Sequence, residues 1–193
     1  MNESTRLIAG VDEAGRGALA GPVVACSVTF KPTFNAHDIL DDSKKLTEEK
    51  RYKIFNEIQS HIYLGTGIVS HRYINRTNIL QATLVAMRKA INKMPIKIDH
   101  AIIDGNRIPR VDVSCAALIK ADTTIPEVKA ASICAKVIRD RLMIKYNRIY
   151  TRYAFDGHKG YGTKQHYESL HEHGHCAIHR VEFNLNTQLT LFN

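Results

Sequence analysis

Five short apolar runs, separated by stretches with helical spacing, restrict the folds open to these 193 residues more than any other feature. Residues 6–10 and 22–30 are rich in Val, Ile and Ala. Gly15, Gly17 and Gly21 lie between them, which predicts two strands joined by a turn. Residues 62–69 and 98–103 read as two further strands, and 115–119 as a short buried fifth. Thr47 followed by Glu48 and Glu49 is a helix start, and that helix is expected to reach about Ser60. Leu80, Leu84, Met87, Ile91 and Met94 recur at alternating spacings of four and three, the apolar stripe of a long helix. Pro126 suits the first turn of another helix, which carries Ala131, Ala135, Ile138 and Leu142, and a last helix covers 164–172. Strands first, then strands alternating with helices, predict an α/β fold: a mixed five-stranded sheet flanked by helices, with a helical C-terminal portion. No repeat or Pro/Gly-rich linker divides the chain, so one domain is expected over 1–186, followed by a tail over 187–193.

A chain of this length can bury a core without disulfides. Cys26, Cys115, Cys134 and Cys176 form no C-x-x-C pair, which predicts reduced, mainly buried thiols. No apolar run approaches a membrane span, and the start, Met1 to Arg6, lacks the pattern of a secretory signal, so the cytoplasm is the expected location. The net charge of +8 favours a polyanionic partner, because Lys and Arg release counterions when they neutralise phosphates.

In so basic a chain the placement of the acids stands out. Asp12 and Glu13 end one apolar run, Asp104 ends another, and Asp122 follows the short fifth. Carboxylates gathered at strand ends repel one another unless a cation neutralises them, and hard oxygen ligands suit Mg²⁺ or Mn²⁺. Adjacent strand residues point to opposite faces, so Asp12 and Glu13 can share a site only if the chain turns, as Gly15 and Gly17 permit. Two divalent ions there could clamp the attacking and leaving oxygens of a phosphodiester displacement.

These residues also carry a resemblance. Asp12-Glu13-Ala14-Gly15-Arg16-Gly17, Asp42-Ser43-Lys44-Lys45-Leu46, Ile103-Asp104-Gly105-Asn106, Ala130 to Val137 with Arg139-Asp140, and His158-Lys159-Gly160-Tyr161 resemble, in order, the motifs of bacterial ribonuclease HII. The resemblance implies a ribonuclease H-like sheet and an endonuclease acting on RNA-DNA hybrids and on duplex DNA that contains ribonucleotides. Asp12, Glu13, Asp104 and Asp122 become its metal-binding set, for two Mn²⁺ or Mg²⁺ ions. Gly15, Arg16 and Gly17 would read the ribose 2′-hydroxyl, and Tyr161 would stack on the following deoxyribose. Lys44, Lys45, Lys136 and Arg139 would contact phosphates or support the groups that do. Glu182 stands where the family usually has a serine.

Two segments admit other readings. His171, His173, His175 and His179 beside Cys176 invite a zinc site, but the cysteine has no thiolate partner at zinc spacing, and solvated histidines account for them. In the tail, Gln188, Leu189, Leu191 and Phe192 are similar to the pentapeptide by which bacterial DNA-maintenance proteins dock on the sliding clamp. The same apolar residues could instead pack on the domain. Two rival functions remain, another metal-dependent nuclease such as a junction resolvase and a basic duplex-binding protein with structural acids. A monomer is the default expectation.

Overall fold

The computed structural model describes residues 6–34 and 46–181. Lys44, Lys45, Glu182 and the tail residues Gln188, Leu189, Leu191 and Phe192 lie outside them. β1 (Ile8–Ala14) and β2 (Val23–Phe30) are followed by α1 (Glu48–Ile58), β3 (Ile62–Val69), α2 (His71–Arg76) and α3 (Ile79–Asn92). Next come β4 (His100–Asp104), β5 (Ser114–Leu118), a 3₁₀ turn (Ala121–Thr123) and α4 (Pro126–Asn147). A second 3₁₀ turn (Thr151–Tyr153), α5 (Phe155–His158) and α6 (Lys164–His173) complete the order. The five strands form one sheet in the order β3-β2-β1-β4-β5. β1 pairs antiparallel with β2 and parallel with β4, so the sheet is mixed, as the strand and helix pattern predicts.

Helices cover both faces. On one, α3 lays Ala82, Ala86 and Ala90 against Ala9, Val11, Val23, Ala25 and Ile103. This contact is close because β3 offers glycine there: a Cβ on Gly65 or Gly67 would stand 2.1 or 1.9 Å from a carbonyl oxygen of α3. On the other face, α4 and α1 bury Ala130, Ala131, Cys134, Phe55 and Ile58 against Cys26 and Val28. Cys26 and Cys134 are buried, and Cys115 and Cys176 partly so.

A third cluster joins Leu19 and Ala20 to Met143, Phe155, Tyr167, Leu170 and Ile178. Thus α4, about 33 Å long at 1.5 Å per residue, packs its first turns on the sheet and its last turns on the C-terminal helices. It ties the acid-bearing strands to the segment that carries Tyr161. No helix among the described residues is long and apolar enough to cross a membrane.

Candidate active site

The two sequence-adjacent acids share a neighbourhood, though not by the route expected. β1 does not stop before Asp12 but runs on to Ala14, pairing Asp12 with Cys26 and Glu13 with Ala25 on β2. On its other edge, pairing with β4 ends at Val11 and Ile103. The two strands part there, and Asp12, Glu13 and Asp104 occupy the fork. Only after them does the chain turn, with Gly15 at φ +95°.

Asp12 is buried, and its Oδ1 accepts the Glu13 N–H at 2.7 Å. Burial, reinforced by the Glu13 and Asp104 charges, pushes its carboxyl up to about 8, against a hydrogen bond from Ser132 on α4. Glu13 is likewise raised by burial and by Asp104, while Arg16 at 3.2 Å opposes the shift. Asp104 Oδ1 accepts the Ala121 N–H at 2.8 Å, which fixes the 3₁₀ turn bearing Asp122. Asp122 lines the same cavity of about 830 Å³ as Glu13, Gly15, Arg16, Ser132, Lys136 and Tyr161. Among the described residues no three His, Cys, Asp or Glu side chains stand at metal-binding spacing. The acids are instead engaged with main-chain N–H groups and Arg16.

The donors are all carboxylate oxygens, and burial resists the charge on Asp12. Such a set fits a hard divalent cation, whose field would restore the ionised form.

Across the cavity Tyr161 is half-buried, with Lys136 Nζ and Arg139 Cζ at 4.9 and 5.0 Å from its ring centre. Lys136 also pairs with buried Asp140 at 2.8 Å. Arg139 takes the supporting one of its two expected roles. It is completely buried, and its guanidinium donates to the carbonyls of Pro22, Lys159 and Ala20 at 2.9 to 3.0 Å, so it supports backbone and does not face phosphate. Gly15 rests on it: a Cβ there would stand 2.0 Å from Arg139 Nε.

Two groups escaped the sequence reading. Arg180 is buried and donates to the carbonyls of Gly21, Arg16 and Pro22, with burial and neighbouring Arg139 lowering it to about 9. Nothing local in the sequence marks a partner 164 residues away. Ser132 and Lys129 line the cavity beside Lys136, and their spacings of three and four along α4 form a polar stripe that could have exposed them. His179 is also corrected, since it is buried and not solvated, whereas His171 and His175 are exposed.

Comparison with known proteins agrees with this architecture. The family model "Ribonuclease HII" matches residues 9–186. A ribonuclease HII of Clostridioides difficile is 46% identical over 180 residues, covering 93% of this chain and 70% of its own. One of Idiomarina loihiensis is 45% identical over 179 residues, covering 92% and 95%. The RNase HII solved in complex with PCNA from Archaeoglobus fulgidus superposes with a TM-score of 0.78 at 24% identity, over 92% of this chain and 95% of that one. On the match along nearly its whole described length, the chain belongs to the ribonuclease HII family of endoribonucleases.

Proposed function

We propose that the chain hydrolyses RNA paired with DNA and cuts on the 5′ side of ribonucleotides embedded in a DNA duplex, leaving 3′-hydroxyl and 5′-phosphate ends. The observation that carries this reading is one cavity bordered by acids, by the Gly15 turn and by Tyr161. Asp12, Glu13, Asp104 and Asp122 would hold Mg²⁺ or Mn²⁺. Two such ions, when bound, supply an activated water and stabilise the leaving oxygen.

The protein's own residues select the substrate. Main-chain N–H groups of Gly15, Arg16 and Gly17 meet the ribose 2′-hydroxyl, the atom that separates RNA from DNA. Gly17 supports this role, because nothing lies within 4 Å of where its Cβ would be, and the open side admits a sugar. Tyr161 offers its ring to the next sugar, and Lys136 beside it offers a cation to phosphate. Lys44 and Lys45 are assigned phosphate contacts on sequence alone.

The deciding experiment is cleavage of a DNA duplex with a single ribonucleotide, with product ends mapped, in Mn²⁺ or Mg²⁺ and in EDTA. Metal-dependent cutting on the 5′ side is expected. Binding without cutting in either metal would support a duplex-binding protein, and cutting of all-DNA junctions would support a resolvase.

For the tail we propose docking of Gln188, Leu189, Leu191 and Phe192 on a sliding clamp, the partner class of the Archaeoglobus protein solved with PCNA. Removing residues 188–193 is expected to abolish clamp binding in a calorimetric titration and to spare cleavage of short oligonucleotides. A truncated protein that melts several degrees lower would mean that the tail packs on the domain.

A further inference from the structure

Three histidines that the chemistry leaves unused lie under Tyr161. His166 and His179 are fully buried and His158 nearly so, and the rings of His158 and His166 stack with centres 4.3 Å apart. Main-chain amides dictate their protonation. The Cys176 N–H can only donate, and it points at His179 Nδ1 at 2.9 Å, closer than the Cys176 carbonyl at 3.3 Å. Nδ1 therefore carries a lone pair, and the proton of neutral His179 sits on Nε2. That Nε2–H donates to His166 Nε2 at 3.0 Å, so the His166 proton sits on Nδ1 and donates to the Tyr161 carbonyl at 2.9 Å. The Gly160 N–H fixes His158 in the same way, its Nε2–H donating to the Tyr153 carbonyl. Burial keeps His166 and His179 neutral, lowering them to about 3 and about 4. A second proton on either ring would set N–H against N–H.

Within its own segment, the Tyr161 N–H donates to the His158 carbonyl and the Thr163 N–H to the Tyr161 carbonyl, both at 2.9 Å. Lys159 and Gly160, just before Tyr161, both adopt left-handed backbone, at φ 54° and 82°. Tyr161 is bridged to Ala18 at the end of the glycine turn, and the Gly160 carbonyl accepts the Leu19 N–H at 2.8 Å. The residue after His179 is Arg180, which grips the Arg16 carbonyl. One short stretch, 179–180, therefore braces both the glycine turn and Tyr161.

We propose that His166 and His179 are positioning residues that fix the spacing between Tyr161 and the Gly15–Gly17 turn, and so set selectivity for an RNA-to-DNA junction over continuous hybrid. The inference rests on the sugar-stacking role assigned to Tyr161 above. An asparagine amide reaches about as far as Nδ1 and a glutamine amide about as far as Nε2, so two substitutions separate the strut from mere packing. H166N retains a donor for the Tyr161 carbonyl, and H166Q loses it while still reaching His179.

Both variants are compared with the parent and with Y161A, measuring kcat/KM on a single-ribonucleotide duplex and on a continuous hybrid, beside melting curves. H166Q is expected to lower the single-ribonucleotide to hybrid ratio about fivefold to tenfold, the scale of one hydrogen bond, and H166N to keep it within about twofold. H166Q in a Y161A background is expected to change the ratio no further. If Y161A lowers the ratio and H166Q does not, or if H166N and H166Q lower it equally, the strut is overturned and the stacking role stands. If Y161A leaves the ratio unchanged, the stacking role fails and the strut's functional role falls with it. Should the His166 variants not fold, H179N serves, since it keeps an acceptor for the Cys176 N–H and removes the donor to His166, and the same fall in ratio is expected. Nitrogen chemical shifts of the intact protein give an independent check: His166 protonated on Nε2, or His179 on Nδ1, would overturn the relay.

Discussion

Two glycines in one turn are glycines for different reasons, and substitution separates them. A methyl at Gly15 collides with the Arg139 side chain and must also adopt φ +95°, so G15A is expected to lose both stability and cleavage. A methyl at Gly17 meets no protein atom, so G17A should melt within about a degree or two of the parent, yet lose cleavage about a hundredfold as the methyl blocks the sugar. Melting curves and single-ribonucleotide cleavage check both, and an active G17A would remove the turn from substrate reading. Asp12 makes the opposite trade. Its carboxyl, raised to about 8, stays protonated in the metal-free native state at neutral pH while the unfolded chain ionises, so stability is lost as pH rises from the unfolded value of 3.8 towards 8. D12N is therefore expected to melt a few degrees higher than the parent in EDTA while losing cleavage, each kcal/mol being worth roughly 2–4 °C at this size. Added Mn²⁺ should raise the parent's midpoint more than the variant's. An active D12N, or one that gains as much from Mn²⁺, would contradict the assignment.

Among the elements, α4 carries the most consequence. The sequence identified it from Pro126 and its apolar spacing, but not its buried polar turn, where Arg139 and Asp140 lie among apolar neighbours. Replacing Arg139 with methionine preserves bulk and strands the carbonyls of Ala20 and Lys159, while that of Pro22 keeps its bond from Arg180. At 1–3 kcal/mol per unsatisfied buried group, a loss of roughly 2 kcal/mol or more is expected in urea denaturation. A loss under about 1 kcal/mol would show that water replaces the guanidinium. What could be read from the sequence follows the same division. β3 matches its predicted span, and β2, β5 and α6 match to within a residue, because alternation and caps are local signals, although β5 is half-exposed at the sheet edge and not buried as expected. β1 was predicted too short since Asp12 and Glu13 look like a strand end, whereas β2 pairs with them to Ala14. The six-residue α2 was missed, having no side-chain cap and too few turns for a stripe. The four acids could be singled out because charge at the end of an apolar run is conspicuous. The buried arginines could not, because their partners are main-chain atoms of distant residues, and the histidines could not, because main-chain groups three to five residues away and each other's rings hold them, which no side-chain pattern announces.

For the whole molecule, the buried imidazoles bear on acid stability. Unfolded, each titrates near 6.5; folded, His166 and His179 are held at about 3 and about 4 by burial, and burial lowers His158 and His71 as well. Above pH 6.5 neither state is charged and stability is unaffected. Below it the unfolded chain takes up protons the native state refuses, so stability falls as pH falls towards the folded values. From pH 6.5 to 5, His166 and His179 should each cost about 2 kcal/mol. Asp12 works in the opposite sense, so the urea midpoint is best followed in a D12N background. A midpoint unchanged from pH 7 to 5 would mean that these rings are solvated. Finally, Arg180 reaches back to Arg16, across nearly the full chain. A ribosome adding about 5–20 residues per second emits the second partner roughly 10 to 30 s after the first. Throughout that interval the acids of the nascent chain exist without the brace that shapes their glycine turn. On the proposed assignment, a product stalled before residue 179 holds all four carboxylates but lacks the Arg180 brace on the Arg16 carbonyl.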